Sequence, residues 1–136
     1  MISYWVERER GDSSLSKDTN EDSILLTVKK LIGPSPYYDE FDADILVHIN
    51  GAFAYLTRLG CGPSEGFFVT DETQTWDDFI PKSVTQANVK QYIVANVRLI
   101  FDTPTGGTLD ALKAQIERLE WMINSDVDRG VNKKQN

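Results

Sequence analysis

Leu109, Leu112, Ile116, Leu119 and Ile123 follow one another at intervals of three, four, three and four residues. A helix brings such positions onto one side, and the result is a narrow a/d seam rather than a broad apolar face. Thr108 is a natural N-cap and Asp110 suits the positive end of the helix dipole, so the spacing predicts a helix over about 109–124. Trp121 and Met122 broaden the seam only near its end, and a polar sequence follows.

Three more segments carry the same period. Leu25, Val28, Leu31 and Ile32 predict a short helix over about 22–32, capped by Asp22 or Asn20 and stopped by the "GPSP" of residues 33–36. Ile45, Leu46, Ile49, Phe53 and Leu56, with Ala52 beside them, predict a helix from Asp42 or Asp44 to about Leu59, ended by Gly60 and Gly62-Pro63. Val89, Ile93, Val97 and Ile100, extended by Tyr92 and Phe101, predict a third over about 84–101. The stretch between, residues 60–83, is irregular. "GFFVT" suits a short strand, and "TWDDFI" a helical turn capped by Thr75 with Trp76 and Phe79 on one face. The expected fold is all-α: a small four-helix bundle with an irregular, short-β insert between helices 2 and 3, and polar terminal extensions.

A chain of 136 residues fits one domain. Its net charge of −7 speaks against nucleic-acid binding, which rests on Lys and Arg neutralising phosphates. A single cysteine, Cys61, leaves no intramolecular disulfide to form. The start, "MISYWVERERGDSS", has no apolar signal region, and no apolar run reaches membrane-spanning length. Residues 1–22, polar apart from Tyr4, Trp5 and Val6, read as a flexible N-terminal extension, and residues 125–136 as a C-terminal tail.

Catalytic chemistry finds no footing. His48 has Asp44 one turn before it and reads as a structural or surface histidine rather than a general base. One His and one Cys do not make a zinc site, and Cys61 between two glycines reads as a small buried residue rather than a nucleophile. "GCGPSEG" and "TPTGGT" lack the Lys and Ser/Thr of a phosphate loop. "DETQTWDD" lacks the spacing of a calcium loop, so the acidic residues Asp71, Glu72, Asp77 and Asp78 read first as a solvated loop. The expectation is a protein that is not an enzyme and takes no metal or other cofactor.

The order of segments is nonetheless distinctive. "LLTVKKLIG", "FDADILVHINGAFAYLTRLGCGPSEGF", "QTWDDFIP", "VKQYIVANVRLIFDTPT" and "ALKAQIERLEWMIN" together resemble the head–tail connector proteins of tailed bacteriophages over residues 24–124. "VKQYIVANVRLIFDTP" and "IERLEW" are the most specific pieces. The resemblance implies a helical connector domain over residues 23–124 and no catalytic motif. It implies a subunit, made in the bacterial host cytoplasm, that joins the virion neck as a homo-oligomeric ring, expected to be twelvefold. The implied partners are the portal protein, the next head-completion (stopper) or tail-terminator protein, and DNA passing without specific binding; no membrane is involved.

Within that reading the seam closes the subunit's own bundle or docks against a neighbour, and periodicity alone leaves both open. Trp121 and Met122 are candidates for meeting a neighbour or the portal, and Arg129, Lys133 and Lys134 give the tail a positive end on an acidic protein. Asp71, Glu72, Asp77 and Asp78 are candidates for a channel or ring surface whose like charge keeps DNA from sticking. Two other readings are a small phage-encoded helical binding module or regulator without ring assembly, and a small enzyme using Cys61 or the carboxylates.

Overall fold

The computed structural model describes residues 22–33 and 38–130. The expected extension, apart from Asp22, lies outside the described residues, as do Lys133 and Lys134 of the tail. Among the described residues the protein is mainly helical and has no strand.

Helix α1 spans Ile24–Ile32. Its cap is Ser23, not Asp22 or Asn20: the Ser23 hydroxyl accepts from the Leu26 N–H at 3.2 Å. Ser23 is selected by its surroundings, for it is buried and forms an isolated antiparallel bridge with Thr75. Gly33 ends the helix at φ 121°, a conformation that disfavours any residue with a Cβ. Ile24, Leu25, Val28 and Ile32 enter the core, whereas Leu31, counted in the stripe from spacing, is 51% exposed.

Helix α2 spans Asp42–Leu59 and places Asp42 and Asp44 in its first turn, where carboxylates favour the helix dipole. Ile45, Ile49, Ala52, Phe53 and Leu56 face inward. Gly60, left-handed at φ 92°, donates to the carbonyls of Leu56 and Thr57 and closes the helix.

The expected short β segment does not form, and a single amide explains how the chain is satisfied without it. Asn50 of α2 accepts from the Val69 N–H at 2.7 Å and donates to the Val69 carbonyl at 2.9 Å, supplying the pair of bonds a neighbouring strand would give. Helix α3, Trp76–Phe79, is the single turn expected after Thr75, and Thr75 with Asp78 forms a reciprocal capping box. Trp76 and Phe79 point into an aromatic cluster, with Phe53–Phe79 centroids 4.7 Å apart and Phe53–Phe67 5.0 Å. Gly62 sits against this cluster at φ 88°, and a Cβ there would collide with the Phe79 ring.

Helix α4 spans Val84–Phe101, capped by Ser83. Helix α5 spans Gly106–Asp128, so it starts before Thr108 and ends four residues beyond the expected Asn124. Helix α4 packs against each of α1, α2, α3 and α5 and is the axis of the molecule. Ile100, placed in its stripe by periodicity, is 57% exposed, whereas Leu99 and Phe101 on either side of it pack on the core. Leu112, Ile116, Leu119 and Ile123 of α5 are buried, so the seam closes the subunit's own core.

Candidate functional site

The tail residues predicted to dock divide into a fixed part and an exposed part. Val127, from the stretch read as tail, is buried in the core and lies against Gly60, where an added Cβ would stand 3.3 Å from Val127 Cγ1. The Thr85 hydroxyl donates to Asp126 at 2.6 Å, tying the last turn of α5 to the first turn of α4. Arg129 donates to the other Asp126 oxygen at 2.7 Å. The polar sequence after Asn124 hid this turn because its one inward residue, Val127, is isolated among polar neighbours.

Trp121 is 70% exposed on the outer side of α5, among polar positions. Met122 next to it is half-buried and packs on the core. A large aromatic held by a rigid helix in water is the kind of group that anchors protein–protein contacts. Its neighbour Glu120 accepts from the Tyr92 hydroxyl at 2.9 Å, which fixes the orientation of this helix face relative to α4.

The acidic residues are more committed than a free loop would be. Asp71 accepts from the Thr73 hydroxyl at 2.6 Å and the Thr73 N–H at 2.8 Å, and these bonds hold its carboxyl below the usual carboxylate range. Asp77 accepts from Gln86 Nε2 at 2.7 Å and from Lys82 Nζ at 2.9 Å, which lower its pKa likewise. Asp78 is occupied by the capping box with Thr75. Glu72 is exposed. Lys82, outside the acidic run in sequence, folds back onto Asp77 and offsets part of its charge.

The structure brings these two groups of residues to one end of the molecule. Gln86 holds Asp77 while its neighbour Thr85 holds Asp126, so the acidic loop and the end of α5 both meet the first turn of α4. The opposite end carries an aromatic row of which periodicity picked out only Phe101: Tyr38 lies 5.6 Å from Phe41, which lies 5.4 Å from Phe101. Tyr38 and Phe41 lie outside any stripe, and their one sequence signal is the placing of aromatics next to a helix start.

His48 is half-buried and makes no hydrogen bond to Asp44. Cys61 is buried, and burial, with the negative charge of Asp126, pushes its thiol up to about 11. A thiol in that state is protonated at neutral pH and a poor nucleophile. Among the described residues no three His, Cys, Asp or Glu side chains converge as a metal site would need, and no helix is long and apolar enough to cross a membrane.

The sequence profile of a family described as phage connector protein matches residues 24–130. The chain belongs to the phage connector family. The match takes in α1 through α5, including the last turn with Asp126 and Val127, and begins one residue after the Ser23 cap. No curated protein and no solved structure matches the chain. Membership makes this connector a structural protein of a bacteriophage virion and directs attention to other head and tail proteins as its partners.

Proposed function

We propose that this connector is a head–tail adaptor: a helical-bundle subunit that assembles as a ring on the portal once DNA is packaged. The ring extends the DNA channel and receives the next head-completion protein or the tail. The family match over residues 24–130 carries this reading. Exposed Trp121 supports it, since an aromatic anchor on a rigid helix is costly to leave in water and suits a subunit completed by neighbours. Met122, Arg129 and the tail residues Lys133 and Lys134 complete the proposed docking segment. Asp71, Glu72, Asp77 and Asp78, all exposed, are the residues proposed to line the channel or a ring surface, and Glu72 is the one among them with no hydrogen bond described above.

The test is co-assembly of the full chain with the cognate portal, imaged by electron microscopy. A closed ring of this protein on the portal's tail-facing side is expected. Complexes that lack a ring while the portal is intact and the protein folded would overturn the proposal in favour of a binding module.

A further inference from the structure

Gly51 stands in the middle of α2, although glycine is among the poorest helix formers. Apart from its chain neighbours and the helix's own backbone, no atom among the described residues lies within 4 Å of where its Cβ would be, so packing there does not call for a glycine. Gly51 shares the outer face of the helix with Asp44, Val47, Ala54, Tyr55 and Arg58, all exposed, Val47 by 67%. That face is apolar at its centre, has no side chain at Gly51, and carries an acid seven residues before the glycine and a base seven residues after it. On α5 the outer face is built the other way round. A large knob, Trp121, stands at its centre, with the exposed Lys113 eight residues before it and the exposed Asp128 seven residues after it.

We propose that in the ring Trp121 of one subunit seats on Gly51 of the next, with α5 lying parallel to the neighbour's α2. Topology and charge give this direction independently. Phe41 at the start of α2 meets Phe101 at the end of α4, and Tyr55 stacks on Tyr92. Tyr92 also meets Glu120, and Thr85 meets Asp126. Helices α2 and α5 therefore both run antiparallel to α4 and point the same way. Rotation about a ring axis along the bundle keeps that direction, so the α5 of one subunit meets the α2 of the next in parallel. Charge selects the same arrangement. With Trp121 on Gly51, the parallel register sets Asp128 opposite Arg58 and Lys113 beside Asp44, whereas the antiparallel one sets Asp128 against Asp44 and Lys113 against Arg58. Glu117 and Arg118, one turn before Trp121, carry opposite charges and favour neither direction. A contact between two different faces is head-to-tail, the kind that closes into a ring rather than stopping at a pair. The missing side chain at Gly51 lets the indole lie against the helix backbone, as a buried aromatic anchor does in its pocket. The inference rests on the adaptor reading and names the surface that receives its anchor.

The test uses the full chain with Val47→Cys and Glu117→Cys, assembled on the cognate portal and mildly oxidised. Both positions are exposed, and the native Cys61 is buried away from the reaction. In the parallel register Glu117 of one subunit stands beside Val47 of the next, four residues before the anchor and its seat, so a ladder of disulfide-linked subunits is expected on a denaturing gel. Ala54→Cys with Glu117→Cys, the pair that an antiparallel register would join, should give no ladder. Gly51→Leu fills the seat with a better helix former, and should abolish ring formation while raising the melting temperature by a few degrees. Rings seen by electron microscopy without the Val47–Glu117 ladder, or linked only within single chains, would overturn this inference and leave the adaptor reading standing. Rings of the Gly51→Leu chain as abundant as the parent's would do the same. No ring from the parent chain would overturn both.

Discussion

Lys29 is 2% exposed, and its ammonium lies 2.8 Å from Asp42, which is 27% exposed. The pair ties the last turn of α1 to the first turn of α2. Removing one partner of such a pair strands the other charge, which costs far more than the pair contributes. Asp42→Ala is therefore expected to lower stability by about 3 kcal/mol in urea unfolding, whereas replacing both partners, Lys29→Met with Asp42→Ala, should recover most of that loss because no charge is left unpaired. The sequence offered Asp42 only as a helix start and gave no sign of the pairing, since the partner lies across a turn. Cys61 was legible as a small buried residue, and its consequence is a pH dependence. Its thiol is raised from 9.0 to about 11, so the folded state holds the proton more tightly than the unfolded chain. The contribution is full below pH 9 and declines as pH rises towards 11. Alkylation of Cys61 at pH 8 should accordingly follow the unfolding rate. His48→Ala and Cys61→Ala should each leave phage infectivity unchanged wherever the variant folds; a loss with normal folding and particle assembly would argue for chemistry at that residue.

At the scale of the element, α5 is decided by both its seam and its last turn. Leu119 is buried mid-helix, and Leu119→Ala should cost about 2–5 kcal/mol in chemical denaturation. Truncation separates the fixed end from the remainder. Ending the chain after Gly130 should leave the melting temperature nearly unchanged while abolishing attachment to the portal. Ending it after Asn124 removes Val127 and the Thr85–Asp126 bond, and should lower the melting temperature by several degrees. A chain ending at Gly130 that still attaches normally would remove Lys133 and Lys134 from the docking segment. The seam was readable because a 3.6-residue period is a property of local sequence. The last turn was not, because Val127 gains its meaning from Gly60, far away in the chain.

At the scale of the whole molecule, the proposed ring contacts and channel surface make separable predictions. Trp121→Ala should leave the urea midpoint within experimental scatter, since its side chain covers little of the subunit's core, and should weaken ring formation on the portal by at least about tenfold. Asp71→Asn with Glu72→Gln should slow DNA ejection without preventing ring formation, because two like charges facing the phosphates would be lost. Unchanged ejection from intact rings would place the loop away from DNA. Asp77 is left out of that test: its amide would also lose the Lys82 pairing, confusing a local effect with a channel effect.

The sequence by itself determined the four main helices, the single capped turn at Thr75 and most of the core, because apolar period, caps and Gly or Pro stops are local signals. It also carried the family, through the order of its segments. Tertiary structure decided which residues of a stripe are covered: Leu31 and Ile100 keep helical spacing and remain in water, while Ile32 and Phe101, one residue further along the same helices, pack on the core. It decided that Asn50 satisfies Val69 in place of a strand, and that the acidic loop and the end of α5 share the first turn of α4. Those outcomes rest on contacts between residues distant in the chain, and no local period records which distant partner a side chain will meet.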